Sequence, residues 1–273
     1  MSDDQEKLIS FLHPLCAGGA ALAFSGGVDS CLLLAVLKKM QQTAPFPLMV
    51  LNAVTPLQSA DDLETVREMA AFFDFPVEYV FCDVLAIPEV KSNAHSRCYF
   101  CKKHIFEKMR ARAAEQGIRV ILEGTHADDL KVSRPGRKAL AELQVISPLA
   151  ELGITKKEIR QMALEMNVPT AGRPSSPCLA TRFDYGVELL EKELHRAGAG
   201  EAFLRTLLPV KADLRLRVHG ELARIEVNEN CFEFLLEHRM QIIGQLQKLG
   251  FEKVTLDLAG FSSGSFDRKP LNR

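Results

Sequence analysis

The segment AALAFSGGVDSCLLLAVL, residues 20–37, joins two apolar runs through two adjacent glycines, with serines on both sides and an aspartate close behind. The first run is short and stops at Ser-Gly-Gly, which is typical of a buried strand, and the second is long enough for a helix. A loop that leaves a buried strand and enters a helix directs several backbone N–H groups toward its ligand, where the helix dipole is positive. The segment therefore predicts a phosphate site.

The residue types of this loop suit that ligand. Gly26 and Gly27 allow a close backbone approach and unusual φ angles, and Ser25 and Ser30 can donate their hydroxyls. Asp29 can orient the loop or bind Mg²⁺. The lysine of a Walker loop is absent, so a different phosphate loop is predicted. The alternative is a tight strand-to-helix turn with a serine cap.

Strand and helix patterns alternate along the first part of the chain. Strands are predicted at residues 20–24, 47–55, 77–84 and 119–125, and helices at 4–16, from about Ser30, 60–73, 98–117 and 153–167, where Thr155 and Glu158 fit a capping box. This alternation predicts an α/β fold with a parallel sheet covered on both faces. Ligands of such sheets bind at the carboxyl ends of the strands, where SGGVDS and GTHADD both lie.

A stretch rich in Pro, Gly and Ser, residues 168–186, marks a domain connection or an active-site loop. Beyond it the pattern predicts a helix (187–208), a strand pair (214–227), a helix (229–249) and a strand (253–259), which make a smaller α+β unit. The predicted domains are therefore 1–170 and 171–273.

Charge and composition exclude several classes of protein. The 273 residues include 34 basic and 35 acidic ones, so no general field attracts nucleic acid or anionic lipid. The first residues lack the pattern of a signal peptide, and no run reaches the roughly 18 apolar residues of a membrane span. We expect a cytoplasmic protein without membrane partners. The odd count of seven cysteines favours thiols or metal ligands over a disulfide framework.

Three cysteines differ from the others, which lie in apolar surroundings. Cys98 and Cys101 form a Cys-x-x-Cys at a predicted helix start, a pattern that can be redox-active, bind zinc or hold part of an iron–sulfur cluster. Cys178 lies in SSPCLATR, which we expect to be a flexible polar loop, and positive neighbours there favour its thiolate. The three thiolates are one fewer than the four that ligate a cubane [4Fe–4S] cluster. His104 or His95 is a candidate fourth ligand for zinc.

Two arginines alternate with leucines in LRLRV, so Arg215 and Arg217 should lie on one face of a strand. Two like charges side by side repel, which an anion between them would relieve. The alternative is a pair of solvated arginines on an edge strand. Lys102, next to Cys101, is suited to a substrate carboxylate or to the charge of a thiolate cluster.

The loop SGGVDS resembles the pyrophosphate loop of the ATP pyrophosphatases, the PP-loop superfamily. Further segments resemble the LarE family, in order and along nearly the whole chain: RCYFCK, EGTHADDLKVSRPGRKALAE, SPLAELGITKKEIR, PCLATRFDYG, LRLRVHGELARIEV and VTLDLAGFSSGS. That family makes the thiocarboxylates of the nickel-pincer nucleotide cofactor. PP-loop members cleave ATP between the α and β phosphates and usually adenylate an oxygen of their substrate.

The resemblance implies ATP and Mg²⁺ as cofactors and a pyridinium biscarboxylate mononucleotide as substrate. The implied nucleotide residues are Ser25, Gly26, Gly27, Asp29 and Ser30, with Asp128, its neighbour Asp129 and Lys156 as further candidates. The candidate substrate residues are Lys102, Arg182, Glu201, Arg215 and Arg217. The family more often has Asn where this chain has His126. It also implies a homo-oligomer, a hexamer.

The resemblance leaves two sources of sulfur open. In sacrificial members the cysteine that matches Cys178 attacks the acyl-adenylate and gives up its sulfur. Other relatives, and certain tRNA thiolases, use a three-cysteine [4Fe–4S] cluster, here on Cys98, Cys101 and Cys178, which takes sulfur from sulfide or another donor. The alternative functions are a PP-loop tRNA thiolase, against which the balanced charge counts, and an ATP-binding module without catalysis.

Overall fold

The structure is a computed structural model and describes residues 3–130, 135–174, 176–209 and 212–262. The chain divides into two units. The first comprises Met1–Thr55, Asp62–Ile87 and Ser96–Ser175, and the second Pro56–Asp61, Pro88–His95 and Ser176–Arg273. Two short segments of the N-terminal half thus belong to the second unit. The domains 1–170 and 171–273 stay a prediction.

The first unit contains a parallel sheet, as predicted. Its described strands are β1 (Ala20–Ala23), β2 (Leu48–Val54), β3 (Glu78–Phe81) and β4 (Val120–Leu122), in the order β3-β2-β1-β4. The chain builds outward from β1 on one side and then returns with β4 on the other. The switch point between β1 and β4 is where such sheets form a crevice for ligands.

Helices cover both faces of this sheet. In chain order the helices as far as Glu165 are α1 (Asp3–Cys16), α2 (Val28–Thr43), α3 (Ala60–Phe72), α4 (Pro88–Lys91), α5 (Arg97–Ala114), α6 (Ala127–Leu130), α7 (Pro135–Glu142), α8 (Pro148–Glu151) and α9 (Lys156–Glu165), of which α4 belongs to the second unit. Side chains of β1 alternate between two apolar clusters: Ala20 and Leu22 pack in one with α1, α2 and α9, and Ala21 packs in the other with α5 and α7. Both faces are buried, which is why β1 is apolar throughout.

Four short helices, α4, α6, α7 and α8, were not predicted from the sequence. Each has eight residues or fewer, so none contains enough turns to show a helical period of apolar residues. The strand predicted at 77–84 is also shorter, because the chain enters a 3-10 turn at Val84–Ala86.

The second unit contains α10 (Glu191–Leu207), β5 (Leu214–His219), β6 (Leu222–Val227), α11 (Phe232–Glu237), α12 (Arg239–Lys248) and β7 (Lys253–Leu256). Within its described residues β5 and β6 form an antiparallel hairpin and β7 lies parallel to β6. The single helix predicted for 229–249 is wrong. The chain forms a 3-10 turn and then two helices, because His238 between them has ψ near 11° and its ring stacks on Phe234.

The predicted connection 168–186 has regular structure of its own, in 3-10 turns at Pro169–Gly172 and Leu179–Arg182. In the part of the chain that the structure describes, no helix combines the length and the apolarity needed to cross a bilayer.

Candidate nucleotide and sulfur-transfer sites

The loop between β1 and α2 is closed by its own serines. The Ser30 hydroxyl donates to the carbonyl of Gly27 at 3.0 Å and accepts from the backbone N–H of Ser25 at 3.3 Å, and the two serine hydroxyls lie 3.3 Å apart. Ser30 is buried, whereas Ser25 is exposed. The buried serine therefore shapes the loop, and the exposed one lies at the start of a 16-residue helix, where its hydroxyl accepts from the backbone N–H of Gly27 at 3.4 Å.

The two glycines of the loop have different tasks. Gly26 has a φ of +74°, and a Cβ atom there would lie 3.2 Å from the backbone N of Val66 and 3.3 Å from the carbonyl C of Thr65. Gly27 has an ordinary φ of −70°, and a Cβ there would meet only the Ser25 hydroxyl, at 3.4 Å. The fold itself requires glycine at position 26, while position 27 has room that a ligand can use.

We expect Gly26→Ala and Gly27→Ala to separate folding from nucleotide binding. The first should lower the free energy of unfolding by about 1–3 kcal/mol, because alanine is strained in the left-handed region and the α3 backbone is close. The second should leave stability nearly unchanged but weaken ATP binding, because its methyl group occupies the open side of the loop. Thermal unfolding and calorimetric titration with ATP measure the two effects. Equal effects of the two variants on both quantities would contradict this assignment.

Three predicted nucleotide residues from separate segments lie together. The Nζ atom of Lys156 is 2.8 and 2.7 Å from the two carboxylate oxygens of Asp29, and the Lys156 backbone N–H donates to Asp128 at 2.9 Å. Lys156 is the first residue of α9, whose predicted capping box between Thr155 and Glu158 is confirmed. The cap fixes the start of α9 and with it the backbone of Lys156.

The end of β4 supplies two residues that the sequence analysis missed. A Cβ at Gly124 would lie 3.0 Å from the Cβ of Asp29, so glycine is needed where this strand approaches the start of α2. Glu123 is buried and accepts hydrogen bonds from the backbone and hydroxyl of Thr125, at 2.9 and 2.8 Å, and from the Ser147 hydroxyl. The available signal was an acidic residue followed by glycine directly after an apolar strand.

The Cys-x-x-Cys pair lies on the first two turns of α5. Cys98 is exposed and Cys101 half-buried, and their spacing of three places them on one helix face. Lys102 lies 3.8 Å from Glu123. Glu123 directly precedes Gly124 in sequence, and Gly124 packs against Asp29. The predicted nucleotide residues and the cysteine pair therefore lie at the same end of the sheet.

A glycine of α7 makes room for this part of α5. A Cβ at Gly136 would lie 2.8 Å from Cδ of Lys102 and 3.3 Å from the carbonyl oxygen of Cys98. The close packing of α7 fixes the position of the helix turn that carries Cys98.

In the second unit Cys178 is exposed and directly precedes the 3-10 turn Leu179–Arg182. Arg182 forms a buried ion pair with Glu201 of α10, from Nε to Oε1 at 2.8 Å and from Nη2 to Oε2 at 2.7 Å. The structure thus brings together two residues that the resemblance assigns to the substrate pocket.

The two arginines of β5 are buried, not solvated. Arg215 and Arg217 are 6% and 1% exposed, and Arg217 pairs with Glu226 at 2.9 Å. Burial, and then the positive charges of Arg217 and Arg182, lower the pKa of Arg215 to about 10. Arg215 therefore still carries its charge at neutral pH, within a cluster whose repulsion an anion would relieve.

Comparisons with known proteins identify the N-terminal domain and several relatives of nearly full length. A family model described as a PP-loop domain matches residues 1–133. An uncharacterized protein of Synechocystis sp. is 35% identical over 91% of this chain and 92% of its own length, and one of Methanocaldococcus jannaschii is 31% identical over 89% and 90%. The pyridinium-3,5-bisthiocarboxylic acid mononucleotide synthase of Lactiplantibacillus plantarum is 31% identical over 89% of this chain and 87% of its own length.

The chain belongs to the LarE family of PP-loop proteins. A PP-loop domain implies ATP binding, so the ligand expected at the loop between β1 and α2 is a nucleotide phosphate. The roles of the individual site residues remain predictions in this member of the LarE family.

Cys98, Cys101 and Cys178 of this LarE-family chain carry thiols, which are the usual ligands of iron–sulfur clusters. Cys98 and Cys178 are exposed and Cys101 is half-buried, so none of the three residues lies in the apolar core. Among the described residues, no group of three His, Cys, Asp or Glu side chains stands together as a metal site. His95, a candidate zinc ligand, stacks on Tyr185 of the second unit, with ring centroids 4.0 Å apart. The cluster is therefore a proposal that rests on its donor set.

Proposed function

We propose that this protein is an ATP-dependent sulfurtransferase that converts a carboxylate of a pyridinium biscarboxylate mononucleotide into a thiocarboxylate, a step of nickel-pincer cofactor biosynthesis. The observation that carries this proposal is the similarity to the Lactiplantibacillus plantarum synthase along nearly the full length of both chains. The arrangement of the phosphate loop, Asp29 and Lys156 supports the use of ATP in the reaction.

The first step activates the substrate. A carboxylate oxygen attacks the α-phosphorus of ATP, the bond from that phosphorus to the pyrophosphate breaks, and an acyl-adenylate forms. Backbone N–H groups at the start of α2, the Ser25 hydroxyl and Lys156 bind the pyrophosphate as its negative charge develops. Asp29 and Asp128 would hold Mg²⁺, for which carboxylate oxygens are suitable ligands, and the ion offsets the phosphate charge.

The second step introduces sulfur through the thiol centre. In one route the Cys178 thiolate attacks the acyl carbon and AMP leaves. Removal of the Cys178 α-proton then breaks the Cβ–S bond, the electron pair moves to sulfur, the thiocarboxylate departs and dehydroalanine remains. In the other route Cys98, Cys101 and Cys178 would hold a [4Fe–4S] cluster, which supplies exchangeable sulfide that an external donor restores. The cysteine pair, which lies at the same end of the sheet as the predicted nucleotide residues, supports the second route.

Fixed cations suit the substrate, which carries a phosphate and two carboxylates. Arg215 presents buried positive charge in the second unit, where Arg217 is also buried but pairs with Glu226, and Lys102 lies beside the cysteine pair in the first. Assembly as a homo-oligomer, specifically a hexamer, and a cytoplasmic location stay predictions.

The sulfur source can be measured on protein purified without oxygen. Iron content and absorption are recorded, and the intact chain is weighed before and after turnover with ATP and the mononucleotide. We expect iron, a brown colour and an unchanged mass, and Cys98→Ser/Cys101→Ser should lose the iron. Cys16→Ala, a core cysteine in α1, is the matched control and should keep it. Loss of one equivalent of H₂S from the chain, without iron, would instead establish the sacrificial route.

Pyrophosphate release tests the function itself. Release that depends on the pyridinium mononucleotide supports the proposal. Release that requires RNA would indicate a tRNA thiolase, and no release with either substrate would indicate a nucleotide-binding module. The last two results would overturn the proposed function.

A further inference from the structure

The backbone around Cys178 is held by hydrogen bonds from nearby side chains. The Nη1 group of Arg182 donates to the carbonyl oxygens of Pro177 at 2.7 Å and of Cys178 at 3.3 Å. The hydroxyl of Thr181 also donates to the Cys178 carbonyl, at 2.9 Å, and accepts a hydrogen bond from Nη1 of Arg182 at 2.8 Å. The backbone N–H of Thr181 donates to the same carbonyl at 3.0 Å. The carbonyl of the cysteine is thus bound by two side-chain donors, one of them a cation, and by one backbone donor.

The opposite edge of the Arg182 guanidinium is fully engaged by Glu201. That carboxylate accepts from Nε and Nη2 and also receives the backbone N–H of Leu216 at 2.8 Å. Arg182 is 3% exposed and Glu201 7%. Since the carboxylate neutralises the guanidinium and both groups are buried, this pair contacts the protein and is poorly suited to a substrate anion.

Further contacts hold the rest of the segment. Arg217 donates to the carbonyl of Thr181, and the side-chain amide of Asn93 donates to the carbonyls of Phe183 and Asp184 at 3.2 and 2.8 Å. The segment that follows Cys178 is therefore built as a fixed turn, which differs from the flexible loop expected from its composition.

We propose that Arg182, Thr181 and Glu201, here called the Cys178 clamp, are positioning residues that fix the reactive cysteine, and that Arg182 and Glu201 do not bind substrate. The inference rests on the proposed function and replaces the substrate-binding role predicted for the two charged residues. A transferred sulfur must meet an acyl carbon within a narrow range of distance and angle, and a displacement of about 1 Å can cost about 100-fold in rate. Glu201 orients Arg182, and Arg182 and Thr181 hold the carbonyl of Cys178.

Kinetics of conservative variants distinguish positioning from substrate binding. Arg182→Lys keeps the charge opposite Glu201 but loses the planar fork, and Thr181→Val removes only the hydroxyl. We expect the kcat of thiocarboxylate formation to fall by about 100-fold for the first and about tenfold for the second, with the KM of the mononucleotide unchanged. Thr181→Ser keeps the hydroxyl and should restore wild-type kcat. A raised KM at unchanged kcat in Arg182→Lys would overturn the clamp.

Amide hydrogen exchange of the full chain tests the clamp without catalysis. Both Arg182→Lys and Thr181→Val should speed exchange in residues 179–183 by about tenfold, while β5 and α10 keep wild-type protection. Thr181→Val serves if the arginine variant folds poorly. Unchanged exchange in residues 179–183 of the folded variants would overturn the inference. If exchange responds as expected but the wild type transfers no sulfur, the proposed function fails and the clamp stands.

Discussion

Replacing Asp29 by asparagine is expected to lower pyrophosphate release from ATP by about 100-fold, because Asp29 loses the carboxylate whose two oxygens contact Lys156 of α9. The neutral amide presents one oxygen in place of two and carries no charge for Mg²⁺. Lys156→Met should lower the rate by a similar factor. Mononucleotide-dependent pyrophosphate release, measured at saturating ATP, gives both values.

The two substitutions should not add. Because Asp29 and Lys156 contact each other, the double variant Asp29→Asn/Lys156→Met should lose little more than either single variant. Glu68→Gln, on the exposed side of α3, is a matched control for the loss of one carboxylate and should turn over at the wild-type rate. Full activity of Asp29→Asn, or strictly additive losses, would contradict the assignment of this pair to one nucleotide site.

Replacing Cys178 by alanine is expected to separate the two half-reactions. Thiocarboxylate formation should fall by about 1000-fold or more, because neither route to sulfur transfer works without this thiol. Mononucleotide-dependent pyrophosphate release in a single turnover should persist, since the residues predicted to bind the nucleotide lie in the first unit and are unchanged. Rapid quenching followed by mass spectrometry of nucleotide products and of the thiocarboxylate measures both steps in one sample.

Cys231→Ala controls for the general effect of losing a cysteine in the second unit. Cys231 is buried and lies in the 3-10 turn before α11, so its variant should retain both half-reactions. Undiminished thiocarboxylate formation in Cys178→Ala would remove this residue from the sulfur centre. Loss of pyrophosphate release together with sulfur transfer would place Cys178 in the activation step.

The phosphate loop was predictable because its signal is local. Six residues between two apolar runs carry the strand end, the glycines and the helix start, and the family resemblance rests on further short segments. The alternation of strands and helices predicts that the sheet is parallel, but it does not predict the order of the strands. That β1 lies beside both β2 and β4 required the structure.

The missed residues depend on contacts between distant parts of the chain. Gly124 is needed because of Asp29, which is remote in sequence, and the contacts of Glu123 with Lys102 and Ser147 add to the weak local signal of an acidic residue and a glycine after a strand. In the same way, Arg182 reads as a substrate cation in a polar loop until its hydrogen bonds are known. Its partners in the structure are Glu201, the Thr181 hydroxyl and backbone carbonyls, and the proposed clamp rests on these contacts.

The most direct test of coupled adenylation and sulfur transfer follows one oxygen atom. The mononucleotide is prepared with a heavy oxygen isotope in its carboxylates and is incubated with ATP, sulfide and protein purified without oxygen. Attack of the carboxylate on the α-phosphorus, followed by departure of AMP from the acyl carbon, should leave one heavy oxygen in AMP for each thiocarboxylate formed. AMP without the label, or release of phosphate with ADP as product, would contradict activation of the carboxylate by adenylation.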